Sequence, residues 1–170
     1  VSEDLRSVMR HFATGVCIAA TWRPTRAGAR RHNAITVNSL SSLSLTPPLV
    51  SLSFRADSEF LADVLASRVF TVSILGADAE DTARTFAGRR PERDRMLRHV
   101  RTHAGVGTGA LLFDAAGWME CRYYDHYTVG DHVQVIGEAI TLGIPDEPAG
   151  TPLIFLGGGF HRLDSESAAS

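Results

Sequence analysis

The densest set of small hydrogen-bonding side chains in the sequence lies at residues 36–48, TVNSLSSLSLTPP, with four serines, two threonines, one asparagine and no charge. Short hydroxyl and amide side chains let backbone N–H groups come close, and such a set suits a groove that hydrogen-bonds the edge of a planar polar ligand. By composition alone the stretch fits a serine-rich turn slightly better, and at this point both readings stand. A second chemical feature is an arginine run, Arg84, Arg89, Arg90, Arg93, Arg95, Arg98 and Arg101.

What is missing narrows the chemistry. All 17 basic residues are arginine, which excludes a P-loop, a Schiff base or a pyridoxal-phosphate anchor, each of which needs lysine. Any phosphate must be held by arginine, hydroxyls, backbone amides or a helix N-terminus. The net charge of −2 gives no global pull towards nucleic acid or an anionic membrane. Asp81, Glu92 and Asp94 interrupt the arginine run and no aromatic is available for base stacking, so a solvated face with one or two phosphate-pairing arginines is expected, not nucleic acid. His99 and His103 are four apart, but Arg98 and Arg101 would repel a cation, so no metal site is expected. No G-x-G-x-x-G, G-x-S-x-G, C-x-x-C or H-E-x-x-H signature occurs.

The two cysteines, Cys17 and Cys121, lie in apolar strand-like segments and read as core residues. They form no disulfide framework, so a reducing cytoplasmic setting is expected. No apolar run approaches the roughly 20 residues of a membrane span, and no signal-peptide pattern opens the sequence.

The elements that must position these groups follow from periodicity. Residues 2–12 predict an amphipathic helix capped by Ser2, with Leu5, Val8, Met9 and Phe12 on one face. Val16–Trp22 and Asn33–Leu40 predict a hairpin, and Leu49–Phe54 a buried strand after Pro47-Pro48. Ser58 is placed to cap a helix to about Ser67 with Phe60, Leu61, Val64 and Leu65 inward. Val69–Leu75 reads as a strand and 79–87 as a helix capped by Asp78. Residues 89–110 read as irregular with one helical turn. Trp118–Thr128 and His132–Ile144 predict a long hairpin, and Pro152–Leu156 a last strand. Six or seven strands joined mostly as hairpins give a mainly antiparallel barrel or sandwich with peripheral helices. One domain over 1–163 and a frayed tail at 164–170 are expected.

Eight segments, in order along the chain, resemble the flavin reductase-like family, the reductase components of two-component flavin monooxygenases. They are LRSVMRHFATGV (5–16), TVNSLSSLSLTPPLV (36–50), FRADSEF (54–60), FTVSIL (70–75), TARTFAG (82–88), WMECR (118–122), GDHVQVIGE (130–138) and GGGFHRL (157–163). The resemblance implies a mainly β, Greek-key split β-barrel of the FMN-binding type with a few peripheral helices, usually a homodimer. It implies hydride transfer from NADH or NADPH to FMN or FAD, with reduced flavin passing by diffusion to a separate flavin-dependent monooxygenase or halogenase. Two alternatives are a non-catalytic flavin carrier and an enzyme that retains its flavin to reduce an organic substrate.

Residue by residue, the resemblance assigns Thr36, Val37, Asn38, Ser39 and Leu40 to the flavin ring, and Ser42 to a nearby hydroxyl. It assigns Ser53, Phe54, Arg55 and Ser58 to the ribityl chain and phosphate, and Phe86, Gly88 and Arg89 to a further phosphate-side turn. For the nicotinamide it points to His132 and to Phe160 beside His161. Phe160 stands where the family often has tyrosine, so stacking is kept and a hydroxyl is lost. Hydride transfer needs no protein acid or base, so His132 is assigned positioning and electrostatics. The alternative for His132 is a turn histidine held by Asp131.

Overall fold

A computed structural model describes residues 2–145 and 150–163, with the side chains of residues 2 and 3 excepted. The chain enters through α1 (Ser2–Met9) and the short strand β1 (Thr14–Gly15), followed by the hairpin β2 (Cys17–Pro24) and β3 (Arg30–Val37). A second hairpin, β4 (Ser41–Leu45) and β5 (Pro48–Arg55), leads through α2 (Glu59–Ser67) to β6 (Val69–Ile74). Then come α3 (Glu80–Phe86), α4 (Arg90–Met96), the small hairpin β7 (Thr102–Ala104) and β8 (Leu111–Phe113), and the long hairpin β9 (Gly117–Val129) and β10 (His132–Gly143). Strands β11 (Ile154–Leu156) and β12 (Gly159–His161) close the chain.

Seven strands form one antiparallel sheet in the order β3-β2-β6-β9-β10-β5-β4. Its edge strands, β3 and β4, are joined only by residues 38–40. Laid flat at about 4.8 Å per strand, the two edges would stand about 29 Å apart. The four steps from Val37 to Ser41 reach about 14 Å at most. The sheet therefore curls into a barrel whose seam is crossed at Asn38–Leu40. From β5 the chain passes through α2 to β6, which is separated from β5 in the sheet by β10 and β9, a Greek-key connection.

Side chains along β2 alternate between two cores, in the sense this curl requires. Cys17 and Ala19 join the barrel interior with Leu52, Phe70, Val72, Cys121 and Val135. Ile18 and Ala20 face outward into a second core under α3, with Phe86, Phe113 and Leu153. Being covered on both faces, β2 carries a continuous apolar run. Helix α2 adds Phe60, Leu61 and Val64 to the interior cluster, with the Phe60 ring 5.1 Å from that of Phe54. At Gly137, beside a β-bulge, a Cβ would lie 2.4 Å from the Phe70 ring, so the close strand crossing there admits only glycine.

Several expectations need correction. Residues 41–45, read as turn, form β4; residues 89–110, read as irregular, contain α4 and β7. Helix α4 carries ordinary start signals, a proline in its first turn and Glu92 accepting the Arg89 N–H, hidden by the density of arginine around them. Ser58 does occupy the cap position of α2, yet its hydroxyl makes no capping bond. The cap position of α3 is Ala79, not Asp78. The apolar face expected for the first helix lies open to solvent: Leu5, Val8, Met9 and Phe12 are 61, 66, 49 and 60 % exposed. The Ser2 side chain, on which the expected cap depends, and the 164–170 tail lie outside what the structure describes. No described helix is long and apolar enough to cross a membrane.

Candidate functional site

The seam of the barrel opens into a cleft of about 510 Å³. Its walls are the end of β3 and the crossing (Ile35–Ser39), the end of β5 (Ser53–Arg55), the approach to α2 (Asp57, Ser58) and His132. The β5–β10 register sets His132 opposite Arg55 and Val133 opposite Phe54, so a cation and an imidazole meet at one mouth of the cleft. Phe54 and Val37 are buried beneath it.

Two hydroxyls expected to face a ligand are engaged within the protein. The Thr36 hydroxyl donates to the Ala83 carbonyl at 2.6 Å and ties β3 to α3. The Ser39 hydroxyl accepts from the Ser53 N–H at 3.0 Å and sits 3.3 Å from the Ser53 carbonyl, fixing the crossing to β5. Asn38, exposed between them, has no hydrogen-bond partner for its amide among the described residues. Leu40 packs against the barrel interior.

Charge is concentrated at the mouth. Arg55 donates from Nε and Nη2 to the two carboxylate oxygens of Asp57, both at 2.9 Å. That hydrogen-bonded fork and its charge hold the Asp57 carboxyl below the usual carboxylate range. His132 Nδ1 lies 2.8 Å from Asp131 Oδ1, and this contact lowers Asp131 in the same way. His132 thus makes the turn contact with Asp131 and also lines the cleft.

A second cavity of about 200 Å³ shares Thr36, Val37 and Asn38 with the cleft and adds Ala87, Phe155 and Phe160. The Phe160 ring packs edge-on to Phe155 at 5.5 Å, with the Arg84 guanidinium 5.0 Å from its centroid. Asn38 therefore stands on the shared wall between the His132–Arg55 cleft and the Phe160 cavity.

Five further assigned residues are not part of this constellation. Ser42 is exposed on β4 and lines neither cavity. The Phe86 side chain is 1 % exposed in the outer core, edge-on to Phe113, so a ligand could meet only its backbone. Gly88 and Arg89 are exposed at the α3–α4 turn, next to Ala87 but outside both cavities. His161 Nε2 sits 3.0 Å from the Leu156 carbonyl and lines neither cavity.

Residues without a sequence signature also shape the site. Asp57 and Ile35 line the cleft. Behind it, Asp63 is 1 % exposed on α2 and accepts from Asn33 Nδ2 at 2.8 Å and Arg23 Nη1 at 3.2 Å, with Arg90 at 3.5 Å. Arg93, also buried, donates to the Ala34 carbonyl at 2.8 Å. This network clamps β3 just before Thr36. One signal was available: Asp63 falls three residues after Phe60 and one before Val64, on the inward face of the helix. Among the described residues no group of three or more histidine, cysteine or carboxylate side chains is placed to hold a metal.

Comparison with known proteins agrees with this architecture. The family model described as "Flavin reductase like domain" matches residues 9–164. An NADH-dependent FAD reductase of Streptomyces globisporus is 34% identical over 162 residues, 94% of this chain and 85% of that protein. The crystal structure of BorF, the flavin reductase component of a bacterial two-component tryptophan halogenase, superposes with a TM-score of 0.85 at 31% identity, covering 97% of this chain and 99% of that one. The Streptomyces globisporus C-1027 NADH:FAD oxidoreductase, in complex with NAD and FAD fragments, gives a TM-score of 0.86 at 30% identity, covering 99% and 95%. With a seam-crossed antiparallel barrel and a family match over most of its length, the chain belongs to the flavin reductase-like family.

Proposed function

We propose that this protein is a flavin reductase that moves hydride from NADH, or NADPH, to FMN or FAD and supplies the reduced flavin to a separate monooxygenase or halogenase. The observation that carries this reading is Asn38, an unpartnered amide on the wall shared by a cation-mouthed cleft and an aromatic cavity. The residues present fit a flavin. The cleft volume is within the range of small-molecule sites, Phe54 and Val37 give it an apolar base, and Arg55 with the uncapped start of α2 suits a phosphate.

Bound flavin supplies the ring that accepts hydride; the chain supplies placement. In this reading Asn38 and the backbone of Val37–Leu40 hold the polar pyrimidine edge, where N–H donors favour the charge that reduction creates. Ser53, Arg55 and Ser58 hold the ribityl chain and phosphate, with Gly88 and Arg89 at the far turn. Phe160 stacks the nicotinamide, and Arg84 fixes its ring. His132, oriented by Asp131, serves to position the ligand at the mouth. Arg55 is 71 % exposed, and this open mouth favours exchange of flavin over retention.

The exposed apolar face of α1 supports a homodimer, since four large apolar side chains on one short helix are costly in water. Two free, buried cysteines suit a cytoplasmic setting, and residues 1–163 act as one flavin-binding unit. Oxidation of NADH and NADPH, each with FMN, FAD and riboflavin in parallel, tests the reading. Saturable turnover with at least one pair is expected; no oxidation with any pair would refute it.

A further inference from the structure

The cationic end of the cleft already holds an anion of the protein's own. Asp57 lines the cleft beside Arg55 and Ser58. Its two carboxylate oxygens accept from Arg55 Nε and Nη2, both at 2.9 Å. A phosphate would use the same guanidinium in the same way, since both oxyanions accept two parallel N–H bonds from the fork. Resting on the reading of this cleft as a flavin site, we propose that Asp57 competes with the flavin phosphate for Arg55, keeping phosphate affinity low so that flavin exchanges.

Three features carry the proposal. The first is that the fork is built into the backbone. The Ser58 N–H donates to the Arg55 carbonyl at 3.0 Å, closing a turn over residues 55–58. The Ala56 N–H donates to the Asp131 carbonyl at 3.0 Å and fastens that turn to the one between β9 and β10. Arg55 and Asp57 thus face each other from one clamped turn, so little further ordering is needed to join them. The second is exclusivity: among the described residues, Asp57 is the one side chain bonded to the Arg55 guanidinium. The third is exposure, with the two side chains 71 and 72 % accessible. The Asp57 carboxylate can swing into water without being stranded as a buried charge. A buried competitor would exclude the phosphate, whereas an exposed one only weakens it.

The charge around the fork acts in the same sense. The Asp131 carboxylate also acts on Arg55, so two carboxylates share one guanidinium. A phosphate taking the Nε–Nη2 edge must displace Asp57, and one taking the Nη1 edge meets the Asp57 charge beside it. The penalty follows phosphate charge. Riboflavin carries no phosphate, each phosphate of FAD carries one charge, and that of FMN carries about two. Asp57 therefore weakens FMN most, FAD less and riboflavin not at all.

The test is fluorescence-quenching titration of the full chain with oxidised FMN, FAD and riboflavin, for wild type, Asp57→Asn, Arg55→Ala and the double variant. Asp114→Asn, at an exposed carboxylate outside the cleft, is the control. Asp57→Asn is expected to tighten FMN about fivefold, the scale of a well-formed exposed ion pair. FAD should tighten by a smaller factor, riboflavin should be unchanged, and Asp114→Asn should match wild type. In the Arg55→Ala chain the same substitution should alter FMN affinity by less than about twofold, because no guanidinium remains to hold the carboxylate there. FMN affinity unchanged by Asp57→Asn would overturn the proposal. So would equal tightening of riboflavin, or a full-sized effect without Arg55, since either would make Asp57 a general feature of the cleft and not a competitor. Asp57-dependent FMN affinity with no oxidation of NADH or NADPH would leave the competition standing and remove the reductase reading. Oxidation with FMN affinity independent of Asp57 would do the reverse.

Discussion

Asn38 is the residue on which the site turns, because the cleft and the Phe160 cavity meet at its side chain. Replacing it with tryptophan places an indole where those cavities join. Flavin affinity measured by fluorescence quenching is expected to fall by about 100-fold or more, roughly 2.7 kcal/mol. The position is exposed, so denaturant stability should change by only about 0.5 kcal/mol. Unchanged flavin binding would show that the ring lies elsewhere. The cysteines make the opposite case, since burial pushes both thiols up to about 12. Neither is a thiolate at pH 8, and neither should be alkylated by iodoacetamide until the chain is unfolded in urea. Labelling of native protein, read by mass spectrometry, would contradict that. The sequence shows the hydroxyls of residues 36–42 but not their partners. Thr36 is satisfied 47 residues away at Ala83, and no local pattern marks which hydroxyl is left for a ligand.

At the scale of elements, the hairpins were legible because two-residue alternation and turn residues are local signals. Helix α4 was not, because its start signals lie within a dense run of arginines and part of its anchoring is a long-range ion pair. Asp94 accepts from Arg90 at 2.6 Å and Arg31 at 3.1 Å, joining α4 to β3. Partial burial acts to raise the Asp94 carboxyl, but the hydrogen bonds from Arg90 and Arg31 outweigh it and hold the group below its ordinary value. A carboxyl lowered by folding stabilises the fold at pH values above its unfolded pKa of about 4, and that contribution is lost as pH falls further. Asp94→Asn should therefore cost about 1 kcal/mol at pH 7, with the gap to wild type closing towards pH 3. Melts across that range check the sign; a gap that widened on acidification would mean the pairs do not stabilise α4. Because α4 also holds β3 through Arg93 and Ala34, weaker flavin binding should accompany the loss.

For the whole molecule, the antiparallel class followed from hairpin spacing, whereas closure did not. Nothing local in TVNSLSS says that Val37 and Ser41 belong to opposite edges of one sheet; only the strand order reveals it. The same order explains why a short uncharged stretch sits at the site. Charged or bulky side chains at the seam would obstruct the crossing or fill the cleft beneath it. The apolar face of α1 was legible in the sequence but its exposure was not, because amphipathicity marks an apolar side without naming its cover. The central claim is that this barrel reduces flavin and lets it go. An anaerobic mixture of catalytic protein, excess NADH and a large excess of free FMN or FAD, followed by flavin absorbance, tests it directly. The entire flavin pool is expected to bleach over many turnovers of each protomer. Bleaching that stops at one flavin per protomer, or never begins, would contradict it.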